Sequence, residues 1–428
     1  MSSAEHRDDN STGGNGVLAG LRVVELSHLI AGPYCAMLLA DEGAEVVKVE
    51  PPQGELTRAR EPIRTSESGS MSGYFGALNR RKSSIAIDLK SEAGIGLLHQ
   101  LLARADVFIS NMRPQALDRL GIHPQALRGR YPSLIVASMT GFGLANAGAD
   151  ENRAALAMVA EALAGTNSLA RDRDGRPVWC GFALGDIVTG MTAHAAILLA
   201  LRNRDQTGEG RLIDLALPDC TLPLTSVALA RVQAADAAYS AVASSNDFHG
   251  VPYGTFAAAD GFYNLGVNRD EFWVRLCSAM GRPELGHDPR YATYIERAKR
   301  QAEVHALVEE WSRGLPRDEV VAAVSAADVP TAPVLGMAEV LELDHFRARG
   351  VFVEVDDGIG GTLTQPTDPT GFAIDDRPRV PHLGEQRDPV LAGLLGLDAG
   401  QIESLAAAGA FGALAGHPGD SVSATAAH

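Results

Sequence analysis

The first half of the chain alternates short apolar runs with segments of helical periodicity. Residues 21–26 form an apolar run typical of a buried parallel strand, and Pro33 follows at a point that suits the first turn of a helix. Helical spacing continues to Asp41, and residues 45–50 form a second strand. This order is a βαβ unit, which predicts a right-handed crossover within a parallel sheet.

The same alternation continues to about residue 215. Further strands are predicted at residues 84–89, 106–110, 134–138 and 211–215, with a helix at 91–103. Strands that alternate with helices are typical of doubly wound α/β layers. The sequence therefore predicts a large Rossmann-like α/β domain.

The pattern changes beyond residue 225. Two short strands around Asp260-Gly261 predict an antiparallel hairpin, and helices are predicted at residues 270–280 and 297–311. These elements predict a second, smaller α+β domain. The predicted organisation is a disordered leader at 1–16, the large domain at 17–224, the small domain at 225–330, a return to the large domain at 331–408 and a flexible tail at 409–428.

Composition argues against several classes of function. The 428 residues carry a formal net charge of −16, which argues against a general nucleic-acid-binding protein. The polar leader lacks the apolar core of a signal peptide, and no run approaches the ~20 apolar residues of a membrane span. We therefore expect a cytoplasmic protein that binds no membrane. The four cysteines form no CxxC and the histidines lack metal-ligand spacing, so no metal site is expected.

Asp186 is the most informative single residue. It is the one acidic side chain within residues 181–190, where its neighbours are small or apolar, and an apolar helical stretch follows it. Such a carboxylate is costly to bury unless it is paired, hydrogen-bonded or used in chemistry. Spacing alone leaves two interpretations open, namely an N-cap aspartate and a carboxylate nucleophile.

The loops that follow the predicted strands lack the usual nucleotide motifs. No G-x-G-x-x-G follows the first strand, and neither a Walker sequence nor the G-x-S-x-G elbow of a serine hydrolase is present. Small residues at Ala31 and Gly32 instead allow a ligand to approach a helix start closely. Basic residues at 80–82, Arg113 and Arg119 suit phosphate groups, with solvated surface as the alternative.

Several motifs in order make the chain similar to one known family. They are residues 18–26 with Ala31-Gly32-Pro33, residues 43–50, residues 79–90 beginning Asn79-Arg80-Arg81-Lys82, residues 105–114 and 117–121, then Leu184-Gly185-Asp186 and Thr207-Gly208-Glu209-Gly210. Over residues 18–397 the chain thereby resembles the family III CoA-transferases. That group includes the formyl-CoA and carnitine CoA-transferases.

The resemblance implies an activity, an assembly and a set of residues. It implies an interlocked homodimer that moves coenzyme A (CoA) from an acyl-CoA to a small carboxylic acid, with Asp186 as the nucleophile. CoA and acyl-CoA are substrates, so no tightly bound cofactor is expected. The implied CoA contacts are Ile30, Ala31, Ile87, Asp88, Leu89, Lys90, Asn111, Met112, Arg113 and Arg119. Arg81 and Lys82 are added to this set from the basic loop.

Some positions depart from the pattern of the relatives. Pro51 stands where some members have an arginine, and residues 153–158 lack the Lys/Tyr/Glu cluster of others. No glycine-rich lid is seen between Ser240 and Gly261, which argues against formyl and oxalyl groups as substrates. Two alternatives stay open, namely an acyl-CoA racemase or epimerase of the same fold and a non-catalytic CoA-binding protein. The racemases use a histidine where residues 154–161 have none.

Overall fold

A computed structural model describes residues 16–145, 148–150, 152–172, 175–234 and 250–412. The predicted leader up to residue 15, the predicted tail from residue 413 and residues 240–249 of the segment without a glycine-rich lid lie outside these residues. The chain divides into two compact units. The first comprises the described residues of Met1–Ala164, Gly181–Pro223 and Arg347–His428, and the second those of Gly165–Cys180 and Leu224–Phe346.

The described residues form strands and helices along most of their length. The strands are β1 (Arg22–Leu26), β2 (Glu45–Glu50), β3 (Ile63–Ser66), β4 (Gly69–Ser72), β5 (Ser83–Ala86), β6 (Val107–Ser110), β7 (Ile135–Thr140), β8 (Leu212–Ala216), β9 (Tyr253–Ala257), β10 (Phe262–Gly266), β11 (Thr331–Pro333), β12 (Phe352–Asp356) and β13 (Thr362–Pro366). The α-helices are α1 (Ala31–Asp41), α2 (Gly73–Gly76), α3 (Glu92–Leu102), α4 (Pro114–Arg119), α5 (Pro124–Arg130), α6 (Ala157–Leu163), α7 (Thr166–Leu169), α8 (Leu184–Thr207), α9 (Leu217–Thr221), α10 (Ser226–Ala234), α11 (Asp270–Ala279), α12 (Pro283–His287), α13 (Tyr294–Ala298), α14 (Gln301–Ser312), α15 (Arg317–Ala326), α16 (Met337–Glu342), α17 (Asp344–Ala348), α18 (Arg387–Leu395) and α19 (Ala399–Ala407).

A six-stranded sheet forms the centre of the first unit. Its strand order is β5-β2-β1-β6-β7-β8, and every neighbouring pair is parallel. The chain passes from β1 outward to β2 and β5, then continues on the other side of β1 with β6, β7 and β8. This reversal is the doubly wound arrangement. The predicted parallel α/β sheet is therefore confirmed.

Both faces of this sheet are buried, which explains why its strands read as continuous apolar runs. Successive residues of a strand point to opposite faces. Val24 and Phe108 belong to one core, which α3 and α18 complete, whereas Val23 and Val107 belong to a second core with α1 and α8. Helix α18, near the C-terminal end of the described residues, thus completes this core, where it packs against α3 and β5.

Small antiparallel sheets accompany the parallel one. The hairpins β3–β4 and β12–β13 lie in the first unit, and the sheet β11-β10-β9 lies in the second. Ala257 pairs with Phe262 between β9 and β10, which confirms the hairpin predicted at Asp260-Gly261. In the second unit Trp273 is fully buried and donates its Nε1–H to the Leu285 carbonyl at 3.1 Å. The fold is mixed α/β, and the interlocking of two chains stays a prediction.

The long helix α8 is apolar on more than its packed face. Among the described residues it is the one unbroken helix with the length and composition of a membrane span. The expectation that no run approaches such a span is therefore wrong. The pair α18–α19 has the length and composition of a span only if the 117° bend between the two helices is ignored. Ala193 and Ile197 lie in the core beside α1. Met191 and Leu199 remain exposed, at 53% and 72% of their surface. The helix is therefore a core element with a second apolar face left uncovered in the single chain.

Candidate active site

The carboxyl ends of β1, β6 and β7 meet at one edge of the parallel sheet, which is where such sheets bind ligands. A recess of about 340 Å³ lies there. We call it the Asp186 recess, and it is lined by His28, Leu29, Ala31, Asn111, Met112, Arg113, Pro114, Ala116, Met139, Thr140, Gly141, Arg153, Ala155, Leu156, Asp186 and Leu217. The structure thus brings together Ala31, Asn111, Met112, Arg113 and Asp186, which lie far apart in the sequence.

Asp186 is the third residue of α8, and Ala183 occupies the N-cap position of that helix. The N-cap interpretation of Asp186 is therefore wrong, because the side chain belongs to the first turn and not to the residue before it. Burial, and after it the negative charge of Glu161, raises the pKa of Asp186 to about 6. At neutral pH the carboxylate is mostly ionised yet more basic than an ordinary aspartate, as a carboxylate nucleophile should be.

The loop between β1 and α1 is held in place by two side chains. The Asn111 amide accepts the His28 N–H at 3.0 Å and donates to the His28 carbonyl at 2.6 Å. Leu29 has a left-handed φ of 64°, which is uncommon for a residue with a side chain, and its N–H donates to Glu55 Oε2 at 3.2 Å. These bonds fix the backbone that lines the Asp186 recess.

Helix α1 begins at this loop, at Ala31, and α8 packs closely against it. A Cβ at Gly190 of α8 would lie 2.8 Å from the Ala31 carbonyl oxygen, so only glycine allows this approach. The N-cap residue of α1, Ile30, provides no side-chain hydrogen bond. The start of α1 is thereby brought beside the first half of α8.

A second recess, of about 690 Å³, adjoins the first. We call it the Arg119 recess, and it is lined by Leu89, Lys90, Ser91, Glu92, Ile95, Gly96, Met112, Ala116, Arg119 and Leu120. Met112 and Ala116 line both recesses, so the two are neighbours. Leu89, Lys90, Met112 and Arg119, all predicted CoA contacts, are brought together here.

Two arginines carry positive charge into this region. Arg113 lines the Asp186 recess and Arg119 lines the Arg119 recess, and both residues are exposed. Within the described part of the chain, neither guanidinium has a hydrogen bond or an ion pair. Both groups are therefore free to bind an anionic ligand.

Two other predicted CoA contacts are less accessible through their side chains. Ile87 is fully buried in the core of the sheet. The Asp88 carboxylate accepts the backbone N–H of Lys90 at 3.0 Å. Both precede Leu89 and Lys90 of the Arg119 recess, and their contact with CoA stays a prediction.

The basic residues at 80–82 form ion pairs within the protein. Lys82 Nζ lies 2.9 Å from Glu25 Oε2, with both side chains fully buried, and burial lowers the pKa of Lys82 to about 8. Arg80 binds Asp41 at 2.6 Å, and Arg81 pairs with Asp41 and with Asp376. Arg81 and Lys82 are thus paired with protein carboxylates, and their contact with a nucleotide stays a prediction.

Glu161 is the functional candidate that sequence reasoning missed. It lies on α6, its side chain is fully buried, and its Oε1 accepts the N–H of Gly185 at 3.1 Å. The signal was available, since Glu161 is the one acidic residue of a helix made otherwise of alanine, methionine, valine and leucine. An isolated acid in such surroundings is the same signal that pointed to Asp186.

The protein also holds no obvious site for a metal among the residues that the structure describes. In that part of the chain, no group of three or more His, Cys, Asp and Glu side chains is placed to bind an ion.

Comparison with known proteins identifies the family. The model of the CoA-transferase family III matches residues 18–387. The chain belongs to CoA-transferase family III. The resemblance stated from the motifs is thereby confirmed, and the protein is an enzyme that transfers CoA, with CoA thioesters as its substrates.

Individual members of family III are similar over nearly their whole length. The formyl-CoA:oxalate CoA-transferase of Bradyrhizobium diazoefficiens is 31% identical, over 92% of this chain and 97% of that protein. The succinyl-CoA:mesaconate CoA-transferase of Haloarcula marismortui is 32% identical, over 80% and 86%. The crystal structure of a CaiB/BaiF family protein from Brucella suis is 33% identical, with a TM-score of 0.79, over 89% of this chain and all (100%) of that one.

Proposed function

We propose that this family III enzyme transfers CoA between a small acyl-CoA and a small carboxylic acid, with Asp186 as the covalent nucleophile. The observation that supports the proposal most is the position of Asp186. Its carboxylate lines a recess at the carboxyl edge of the parallel sheet, has a pKa of about 6 and adjoins a second recess with a free cation.

CoA is proposed to occupy both recesses. The Arg119 recess, with about 690 Å³ and apolar walls from Leu89, Ile95 and Met112, suits the adenosine part. Arg119 and Lys90 supply positive charge for its phosphates. The pantetheine arm then passes Met112, which lines both recesses, and brings the thioester to Asp186. Ala31 and Asn111 line this path, and Ile30, which precedes Ala31 in the chain, is proposed to contact CoA beside them.

The proposed reaction exchanges bonds without oxidation or water. An Asp186 oxygen attacks the thioester carbonyl, the C–S bond breaks, and the CoA thiolate leaves with the electron pair, which gives a mixed anhydride. The thiolate attacks the aspartyl carbonyl, which releases the first acid as its carboxylate and leaves an aspartyl-CoA thioester. The incoming carboxylate attacks this carbonyl and expels the thiolate again, which forms a second anhydride. Attack of the thiolate on the acyl carbonyl then frees Asp186 and the new acyl-CoA.

The acids are inferred to be small and negatively charged. The relatives are named for formyl-CoA and oxalate and for succinyl-CoA and mesaconate. The Asp186 recess is only about 340 Å³ and is lined by Arg113, whose guanidinium suits a second carboxylate on the substrate. Arg153 also lines it and is paired with Asp150 at 3.2 Å. The departures from the family pattern at residues 153–158 favour an acid other than formate or oxalate.

A homodimer is proposed as the working form, in keeping with the interlocked dimer that the resemblance implies. The uncovered apolar face of α8, with Met191 and Leu199, supports a partner surface. A cytoplasmic location is part of the same proposal.

Acyl-CoA epimerisation is the second candidate, and one observation favours it. His28 lines the same recess as Asp186, so two proton-transfer groups face one cavity even though residues 154–161 contain no histidine. Burial lowers the pKa of His28, which keeps it neutral and able to accept a proton. Incorporation of solvent deuterium at the α-carbon of a branched acyl-CoA, without an acceptor acid, would support this candidate over transfer.

The proposal is tested by transfer itself. The purified protein is incubated with a series of acyl-CoA donors and free acids, and new acyl-CoA species are identified by mass spectrometry. We expect CoA to appear on the acceptor acid, in chelator as well as in buffer, and free CoA not to accumulate. Hydrolysis of every donor without transfer to any acceptor would contradict the proposal.

A further inference from the structure

Glu161 of α6 contacts the first turn of α8, the helix that carries Asp186. Its carboxylate accepts the N–H of Gly185, the second residue of α8, at 3.1 Å. The first N–H groups of a helix have no acceptor within that helix, and Ala183 provides no side-chain cap. A buried carboxylate of α6 thus takes the place that a capping side chain of α8 would otherwise fill.

The backbone at Gly185 is closely packed against neighbouring helices. A Cβ there would lie 3.3 Å from the Ala157 carbonyl oxygen and 3.3 Å from Thr221 Oγ1. The Gly185 carbonyl in turn accepts the Thr189 hydroxyl at 2.7 Å. Glu161 of α6 therefore binds the N–H, and Thr189 of α8 the carbonyl, of the residue that precedes Asp186.

Glu161 also acts on Asp186 through its charge. After burial, the Glu161 charge is the second cause of the raised pKa of Asp186. Acylation of Asp186 removes its negative charge and hence the repulsion from Glu161. The free carboxylate is thereby destabilised relative to the covalent forms in which it is neutral.

We propose that Glu161 is a positioning residue for CoA transfer, which orients the Gly185–Asp186 turn through its hydrogen bond and makes Asp186 a stronger nucleophile through its negative charge. This inference rests on the proposed function. Because the Gly185 N–H is bonded to Glu161, it is not free to stabilise an oxyanion of the reaction.

Other ionisable groups lie near Asp186, and the experiment must separate their effect on the pH dependence from that of Glu161. His28, Arg113 and Arg153 line its recess, and the Tyr74 hydroxyl of α2 has a pKa raised by burial and then by the Asp186 charge. Burial lowers the pKa of His28 from its ordinary value of 6.5, so this imidazole can also contribute to an acid limb. The acid limb of the rate profile must therefore also be measured in His28→Gln, where a limb due to Asp186 persists.

The experiment measures kcat/KM for transfer against pH in wild type, Glu161→Gln and Glu161→Ala. Glu161→Gln keeps an acceptor for the Gly185 N–H and removes the charge, so we expect a folded protein whose acid limb moves to lower pH and whose plateau kcat falls. Glu161→Ala loses both functions, and its kcat falls further. Glu42→Gln is the matched control, since it removes a buried carboxylate that contacts His194 later in α8 at 2.9 Å, and its acid limb stays at the wild-type pH.

The outcomes separate this inference from the proposed function. An acid limb in Glu161→Gln at the wild-type pH, with unchanged kcat, would overturn the role of Glu161 even if Asp186→Ala is inactive. Transfer by Asp186→Ala at the wild-type rate would instead overturn the function on which the inference rests. If Glu161→Ala fails to fold, the pH profile of Glu161→Gln still tests the role of Glu161.

Discussion

Lys82 Nζ lies 2.9 Å from Glu25 Oε2, and neither side chain is exposed to solvent. The same Glu25 carboxylate binds Lys48 at 2.9 Å through its other oxygen. The two lysines hold the pKa of Glu25 at about 2 despite its burial, so the group stays ionised. The cluster is therefore a structural part of the first unit, and it lies in the sheet whose carboxyl edge holds the Asp186 recess.

Lys82→Ala tests this structural assignment. The variant loses the ion pair with Glu25 and leaves the Pro33 carbonyl and Asn79 Oδ1 without their buried donor, while Lys48 still neutralises Glu25. We therefore expect a loss of about 1–3 kcal/mol in the free energy of unfolding. Urea unfolding at pH 7 measures it, with the exposed Arg104→Ala as the control that changes little. A stable Lys82→Ala protein with weakened CoA binding would instead restore the nucleotide-contact interpretation.

Arg119→Ala tests the placement of the CoA nucleotide. A charged hydrogen bond to a phosphate is lost, so CoA binding should weaken by about 1–3 kcal/mol. Calorimetric titration of CoA at two salt concentrations measures the effect, and Arg104→Ala again serves as the control because it lies outside the Arg119 recess. An unchanged dissociation constant would mean that Arg119 does not bind CoA and belongs to the solvated surface.

The pH dependence of stability offers a test of the half-buried Asp186 carboxylate. Its folded pKa of about 6 exceeds the ordinary value of 3.8, so the folded protein binds more protons between these pH values and loses stability as the pH rises through 6. Asp186→Asn removes this penalty. We expect the variant to be more stable than wild type by about 1–3 kcal/mol at pH 8 and equal to it near pH 3.5. A variant destabilised at pH 8 would contradict the burial argument.

Leu199→Glu tests the partner surface on α8. Leu199 is 72% exposed in the single chain, and a carboxylate there would be buried without a partner in a dimer that covers this face. Sedimentation should show a dimer for wild type at nanomolar concentration and a smaller species, or precipitation, for the variant. A monomeric wild-type protein would contradict the proposed homodimer.

Much of the first unit could be predicted from the sequence because its signals are local. The apolar runs of β1, β2, β6 and β7 are buried on both faces of a parallel sheet, and such strands are readable without knowledge of their neighbours. The turn signal at Asp260-Gly261 is also local, and it correctly predicts the β9–β10 hairpin. The hairpins β3–β4 and β12–β13 have no comparable pattern and were not predicted.

The candidate site was predictable only in part, because charge pairing over long sequence distances decides which groups are free. Arg80 and Lys82 resemble Arg113 and Arg119 in the sequence, yet Asp41 and Glu25 neutralise the first pair and no described residue neutralises the second. Asn111 was expected at the CoA site, and its amide is bonded to the His28 backbone, 83 residues away. Its place in the wall of the recess agrees with a CoA contact, which stays a prediction.

The central claim is that Asp186 carries CoA during transfer, and chemical trapping tests it most directly. The protein is incubated with an acyl-CoA donor, treated with hydroxylamine or borohydride and digested, and the peptides are analysed by mass spectrometry. We predict modification of one peptide, the one that contains Asp186, and no modification or transfer in Asp186→Ala and Asp186→Asn, both of which still bind CoA. Substantial turnover by Asp186→Ala, or a label on another carboxylate such as Glu161, would contradict the account.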